Sequence, residues 1–283
     1  MSEALQKLID LLDLEELEVN HFRGVSPKET RQRVFGGQVA GQALVAAART
    51  VDQGQVHSLH GYFLRPGDPK VPILYEVTRI RDGRSFTTRL VVAIQHGQAI
   101  FNLSASFHKE EAGLNYYTPM PEAPPPEGLP TYQERMMPFA EQLGPEWKNP
   151  MPIDIRICDP TDRPPATWRE PDAYAWLRAD GRLPDDPMLH ACVLTYASDV
   201  TLLDTSLRPH GLVSQPARKI MMASLDHAMW FHRRFRADEW LLYVQHTPSS
   251  SGGRGFATGS VYTREGALVV SVAQEGLIRQ IDR

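Results

Sequence analysis

The stretch YASDVTLL, Tyr196 to Leu203, sets a carboxylate among residues that read as core. On a helix Cys192, Tyr196 and Leu203 share a face with Asp199, so the acid falls on the stripe that should meet a sheet. A bare buried carboxylate is expensive; it is paired, neutralised or used. Two readings follow: a structural acid satisfied by a hydroxyl or an amide, or a carboxylate with a raised pKa serving as a general base. Gln274 ends a run in which Leu268, Val270 and Val272 share its face by strand alternation. It is either a strand-end amide reaching solvent or a buried donor to a water, a carboxylate or a carbonyl oxygen. Ser224 alternates with Ile220 and Met222 and alone says little. The chain has no Gly-x-Ser-x-Gly elbow, so Ser224 reads as a hydrogen-bond partner rather than a nucleophile. Gly36-Gly37-Gln38 opens a helix; it reads either as a tight turn with close helix–sheet packing or as backbone N–H groups offered to developing negative charge.

The elements that must position these residues come in two similar sets. DGRSFTTRLVVAIQHGQAIFNLSASF (Asp82–Phe107) and GGRGFATGSVYTREGALVVSVAQEG (Gly252–Gly276) both contain Gly-Arg-x-Phe-x-Thr, run on as a strand, turn at a glycine and return. Upstream, SLHGYFLR parallels SLDHAMWFHR, and the strands ILYEVTRI and WLLYVQHT follow. A helix precedes each set, over Phe35–Val51 and over Pro187–Asp204, and a short strand precedes each helix, EVNHFRG and PIDIRIC. Each half thus reads strand, helix, four strands, the class being α+β. Long antiparallel strands curling round one central helix make a hot dog, and two such units a double hot dog. The boundaries expected are 1–112 for the first unit, 113–150 for a linker containing PMPEAPPPEGLP, and 151–283 for the second. MMPFAEQLG reads as a short helix, and Arg163–Asp186 as an ordered insertion whose Trp168 and Trp176 pack on something. The first repeat has no acid on its helix, and Ser106 faces the position of Gln274, which leaves one active site per chain. His60, His227 and His232 fall at matched strand ends, where packing or hydrogen bonding accounts for them.

Composition narrows the class. The chain has 283 residues, 42% of them hydrophobic, enough for a large core. A net charge of -4 with both signs spread along the chain argues against a nucleic-acid surface. The two cysteines, Cys158 and Cys192, suggest neither zinc nor a disulfide framework, and no His/Asp cluster has metal-ligand spacing. MSEALQKLIDLL reads as a short amphipathic helix rather than a signal peptide, and no apolar run reaches the length of a membrane span. A cytoplasmic location is the expectation.

RVFGGQVAGQAL, HSLHGYFLRPGD, RDGRSFTTR, YASD and LDHAMWFHR, in this order, resemble the acyl-CoA thioesterase II family, from about Leu5 to Arg279. The resemblance implies a double hot-dog fold, hydrolysis of medium- or long-chain acyl-CoA to free acid and CoA, and assembly into homodimers or homotetramers. It places the family's catalytic set at Asp199, Ser224 and Gln274, which order a water for attack without a covalent intermediate. No cofactor is expected, CoA being part of the substrate. Gly36, Gly37, Gln38 and Arg254 are candidate substrate contacts; Arg65, Arg84, Arg233 and Arg234 are further candidates for the CoA phosphates by position alone. Two other readings stand beside this one. A hot-dog enoyl-CoA hydratase or dehydratase usually wants an Asp/His pair, and no His closely follows Asp199; a non-catalytic acyl-CoA-binding module would have no use for all three polar residues.

Overall fold

The computed structural model describes residues 1–27, 33–137, 149–160, 169–212 and 220–281. Among these residues thirteen strands form one antiparallel sheet. The first half supplies β1 (Glu15–Glu18), β2 (His21–Gly24), β3 (Gln55–Phe63), β4 (Ile73–Asp82), β5 (Phe86–Gln95) and β6 (Gln98–His108). The second supplies β7 (Ile153–Ile157), β8 (Asp172–Ala179), β9 (Ile220–Ser224), β10 (Asp226–Phe231), β11 (Leu241–Ser251), β12 (Arg254–Thr263) and β13 (Leu268–Gln280). Their order, β1-β2-β4-β5-β6-β3 followed by β10-β13-β12-β11-β8-β7, is one half and then its mirror-ordered repeat, joined where β3 pairs with β10. The expected double hot dog is therefore present, with three corrections to its strand count. EVNHFRG is not one strand but spans the end of β1, a turn at Asn20 and β2. The supposed insertion contains a strand, β8, lying between β11 and β7. The strand after the second helix is broken at Leu225 into β9 and β10, both paired to β13.

The N-terminal helix α1 (Glu3–Leu12) buries Leu5, Leu8 and Leu12 against the core. The central helices are α2 (Gly36–Ala48) and, after the short α3 (Tyr132–Met136), α4 (Pro187–Ser198). Both are buried almost all round, as helices sheathed by a sheet must be. They touch through small residues: a Cβ on Gly37 would lie 2.4 Å from the Tyr196 carbonyl oxygen, and one on Gly41 3.4 Å from that of Cys192. The two contacts run in opposite senses along the helices, so the start of α2 meets the end of α4.

Helix α4 is shorter than the sequence suggests. Pro187 occupies its first turn, Asp186 caps it by accepting from the Met188 N–H (2.9 Å), and it stops at Ser198 rather than Asp204. Asp199 is the C-terminal cap. The chain then turns through Val200 and Thr201 into a 3₁₀ segment, Leu203–His210. The Gln245 amide holds this turn, donating to Thr201 Oγ1 (2.6 Å) and accepting from Thr205 Oγ1 (2.8 Å).

The proline-rich stretch carries one 3₁₀ turn, Pro126–Gly128, and lies along the face of the second half away from α4. There Trp176 donates its indole N–H to the Pro124 carbonyl (2.8 Å), within a cluster of Trp176, Trp240, Leu242 and Tyr262 that also takes in Met120, Ala123 and Leu129. Trp176 thus packs as expected; Trp168 and most of MMPFAEQLG lie outside the described residues. Among the described residues no helix is long and apolar enough to cross a membrane.

Candidate active site

Three elements far apart in sequence bring Asp199, Ser224 and Gln274 together. Helix α4 ends at Asp199, β9 ends at Ser224, and β13 carries Gln274 inward beside it. The Gln274 Nε2 group donates to Asp199 Oδ1 (2.6 Å) and to Ser224 Oγ (3.0 Å), and the Ser224 hydroxyl donates to the same Oδ1 (3.3 Å). Gln274 is fully buried, and its Oε1 has no protein partner. It points inward because Val270 and Val272 share its core face. Leu268, expected on that face, packs instead with the tryptophan cluster, since the pairing slips between Val261 and Tyr262 and reverses the alternation.

The second carboxylate oxygen faces the start of α2. A Cβ on Gly36 would lie 2.7 Å from Asp199 Oδ2, and the Gly37 N–H donates to the carboxylate. Glycine at 36 admits this approach, and glycine at 37 admits the neighbouring Tyr196 carbonyl. Burial pushes the Asp199 carboxyl from the ordinary aspartate value up to about 6, while the bonds from Gln274, Gly37 and Ser224 hold it back. The result is a base that is largely ionised at neutral pH yet poised near it.

A cleft of about 770 Å³ opens beside this cluster, and Asp199, Ser224 and Gly36 line it. Phe35, Val39, Phe63, Phe101, Leu203 and Met222 make its walls largely apolar, and Arg33 and Arg65 lie at its edge. Phe63 and Phe101 pack ring to ring at 4.7 Å over Gly61, where a Cβ would meet Phe101 at 2.4 Å. Sequence reading did not find these walls: they come from both halves of the chain and share no spacing.

The other expected contacts are elsewhere. Gln38 is buried and donates to the Val25 carbonyl and to Ser26 Oγ, outside the cleft. Arg254 is half exposed and pairs with Glu275 (2.9 Å), also outside it. Arg233 and Arg234 bond Asn115 and Glu110 in the segment after β6. Of the arginines singled out, only Arg65 reaches the cleft. The histidine match is corrected too. Leu59 pairs with Ala105 and Met229 with Val272, which aligns His60 with Trp230 rather than with His227. His227 is buried against Ser198 Oγ (2.9 Å), and its pKa is pushed down to about 4, so it stays neutral. Both cysteines are free thiols, and among the described residues no three His, Cys, Asp or Glu side chains group to hold a metal.

By fold the protein is a double hot dog, and comparison with known proteins makes its class that of the thioester hydrolases. The model of the acyl-CoA thioesterase N-terminal domain matches residues 26–108, and that of acyl-CoA thioesterase matches 166–277. The chain is 43% identical to acyl-coenzyme A thioesterase 8 of Mus musculus, over 95% of this chain and 88% of that one. It is 36% identical to acyl-CoA thioesterase 2 of Haemophilus influenzae, over 99% of each. The crystal structure of an acyl-CoA thioesterase II, TesB2, from Mycobacterium marinum superposes with a TM-score of 0.80 at 46% identity, covering 96% of this chain and 98% of that one. The chain belongs to the acyl-CoA thioesterase family.

Proposed function

We propose that the protein hydrolyses medium- or long-chain acyl-CoA to free fatty acid and CoA, by direct attack of a water held at Asp199. The observation that carries this reading is the carboxylate–hydroxyl–amide cluster opening on a largely apolar cleft. Asp199 Oδ1 is occupied by Gln274 and Ser224, and Oδ2 lies toward the start of α2, beside the cleft. Oδ2 takes a proton from the water as its oxygen attacks the thioester carbonyl. The tetrahedral oxyanion forms near the positive end of α2. On collapse the carbon–sulfur bond breaks, and the protonated Asp199 returns the proton to the departing CoA thiolate. General-base assistance of this kind contributes roughly 10²–10⁴-fold. Ser224 and Gln274 orient the carboxylate and the water and form no covalent bond to the acyl group.

The apolar walls suit an acyl chain, and Arg33 and Arg65 suit the CoA phosphates better than Arg254 does. The reaction asks for no metal or organic cofactor. The same reading keeps the units at 1–112 and 151–283 with 113–150 between them, an assembly of two or four chains through exposed sheet surfaces, and a cytoplasmic location. The test is thiol release from acyl-CoA of graded chain length, run beside crotonyl-CoA hydration. Thiol release that increases from short to long chains is expected. Hydration without thiol release would favour the hydratase reading, and binding with neither would favour a non-catalytic module.

A further inference from the structure

The residue just before the catalytic carboxylate is held on three sides. The Tyr243 hydroxyl donates to the Ser198 carbonyl (3.2 Å). The Ser198 hydroxyl donates to the Thr195 carbonyl (3.0 Å) and lies 2.9 Å from His227 Nε2. Tyr243 belongs to β11, is fully buried and does not line the cleft. Its ring sits over Gly259 of β12, where a Cβ would come within 2.2 Å of it. A strand glycine with nothing else to accommodate is thus explained by the ring it admits.

Along β11 the inward positions Tyr243, Gln245 and Thr247 reach successive points of one stretch of chain: the Ser198 carbonyl, the hydroxyls of Thr201 and Thr205, and Ser206. That stretch contains Asp199 and the cleft wall at Leu203. A helix C-terminus otherwise frays, because its last carbonyls lack partners within the helix. Here one of those carbonyls is tied to β11, a strand paired on both sides.

We infer that Tyr243 is a positioning residue for Asp199, fixing the end of α4 through the Ser198 carbonyl so that the carboxylate meets Gln274, Ser224 and the start of α2. Tyr243 touches no reacting atom; its effect passes entirely through Asp199. The inference rests on the proposed role of Asp199. Two consequences separate it from a merely structural role. Loss of the hydroxyl should lower kcat with KM unchanged, since substrate contacts stay in place. A loosened helix end also lets water reach the carboxylate, so the acid limb of the rate profile should move to lower pH.

The experiment measures kcat, KM and the pH profile for Tyr243→Phe, Asp199→Asn and the double variant, with thermal melts to confirm folding. Phenylalanine keeps the ring that fills the space over Gly259. The expected result is a fall in kcat on the order of 10-fold for Tyr243→Phe, an unchanged KM, and no further loss when it is added to Asp199→Asn. Ser198→Ala, which keeps the carbonyl but removes the hydroxyl, should cost less. If Asp199→Asn is nearly inactive while Tyr243→Phe keeps full kcat, or if the two losses multiply, the positioning role is overturned and the role of Asp199 survives. If Asp199→Asn turns over normally, both fall.

Discussion

Helix α4 of the second half ends at Asp199; helix α2 of the first half ends at Arg49. The Arg49 guanidinium is spent on Asp13 and on the Leu14 carbonyl, just after α1. Matching hairpins extend the comparison. Gln274 stands opposite Ala257, the residue after Phe256; in the first half Phe107 stands opposite Thr87, the residue after Phe86. The counterpart of Gln274 is therefore buried Phe107, not Ser106. By the same register Gly259 corresponds to Arg89 and Tyr243 to Val77. Arg89 is 1% exposed and fully engaged, with Thr50 through both hydroxyl and carbonyl, with the Arg81 and Thr88 carbonyls, and with Asp82.

The two halves thus solve the same space differently. The first fills it with groups that satisfy one another. The second leaves a desolvated carboxylate, an amide oxygen without a protein partner and an adjoining cleft. This is the pattern expected if one copy of a duplication keeps the work, as the proposed role of Asp199 requires.

The most direct way to break this comparison is to convert one half into the other. Gln274→Phe and Asp199→Asn should each lower kcat by roughly 10²–10⁴-fold in thiol-release assays. An effect below about threefold for either would show that the cluster is not the site.

Next in size is backbone approach. Gly37→Ala puts a methyl against the Tyr196 carbonyl, where backbone must move. We expect a loss of about 1–3 kcal/mol in urea unfolding together with reduced turnover. Gly41→Ala, with 3.4 Å to the corresponding carbonyl and 3.1 Å to a flexible Leu12 methyl, should lose less.

The raised carboxyl predicts pH behaviour of definite sign. Activity should climb as pH rises through about 6, where Asp199 ionises. Stability should move the other way. The unfolded chain releases this proton near pH 4 and the folded chain near 6, so the contribution of Asp199 to stability is lost across that window. Asp199→Asn should therefore melt higher than the wild type at pH 7, by on the order of 1–3 kcal/mol, and the advantage should vanish near pH 4. A lower melting point at pH 7 would contradict the desolvated carboxylate.

The smallest effect sharpens the outer limit of the site. Arg254→Ala breaks an exposed pair with Glu275 and should change kcat/KM less than twofold, against a larger rise in KM for Arg65→Ala at the cleft edge.

Local signals in the sequence are strong where an element is regular. The paired Gly-Arg-x-Phe-x-Thr hairpins, Pro187 at a helix start and the apolar spacing of α1 announced the duplication and most of the strands. Asp199 and Gln274 were legible as polar residues on core faces, because a carboxylate or amide there needs a reason. Ser224 was not, since a hydroxyl in a strand is ordinary; its place came from the family resemblance. The strand β8 was missed because it lies within a segment rich in proline and charge, and its inner partner β11 is far away in sequence.

The sequence by itself determined the duplicated hot-dog frame, the family and the asymmetry between the halves. These follow from periodicity, turn residues and motif order, all of which are local. Only the tertiary structure decided where α4 stops, which oxygen of Asp199 is occupied, that Gln38 and Arg254 face away from the cleft, and that Phe107 rather than Ser106 mirrors Gln274. Each of these depends on strand register or on a contact between segments distant in the chain. A slip of one residue in pairing sends a side chain to the opposite face of the sheet, and no local pattern records it.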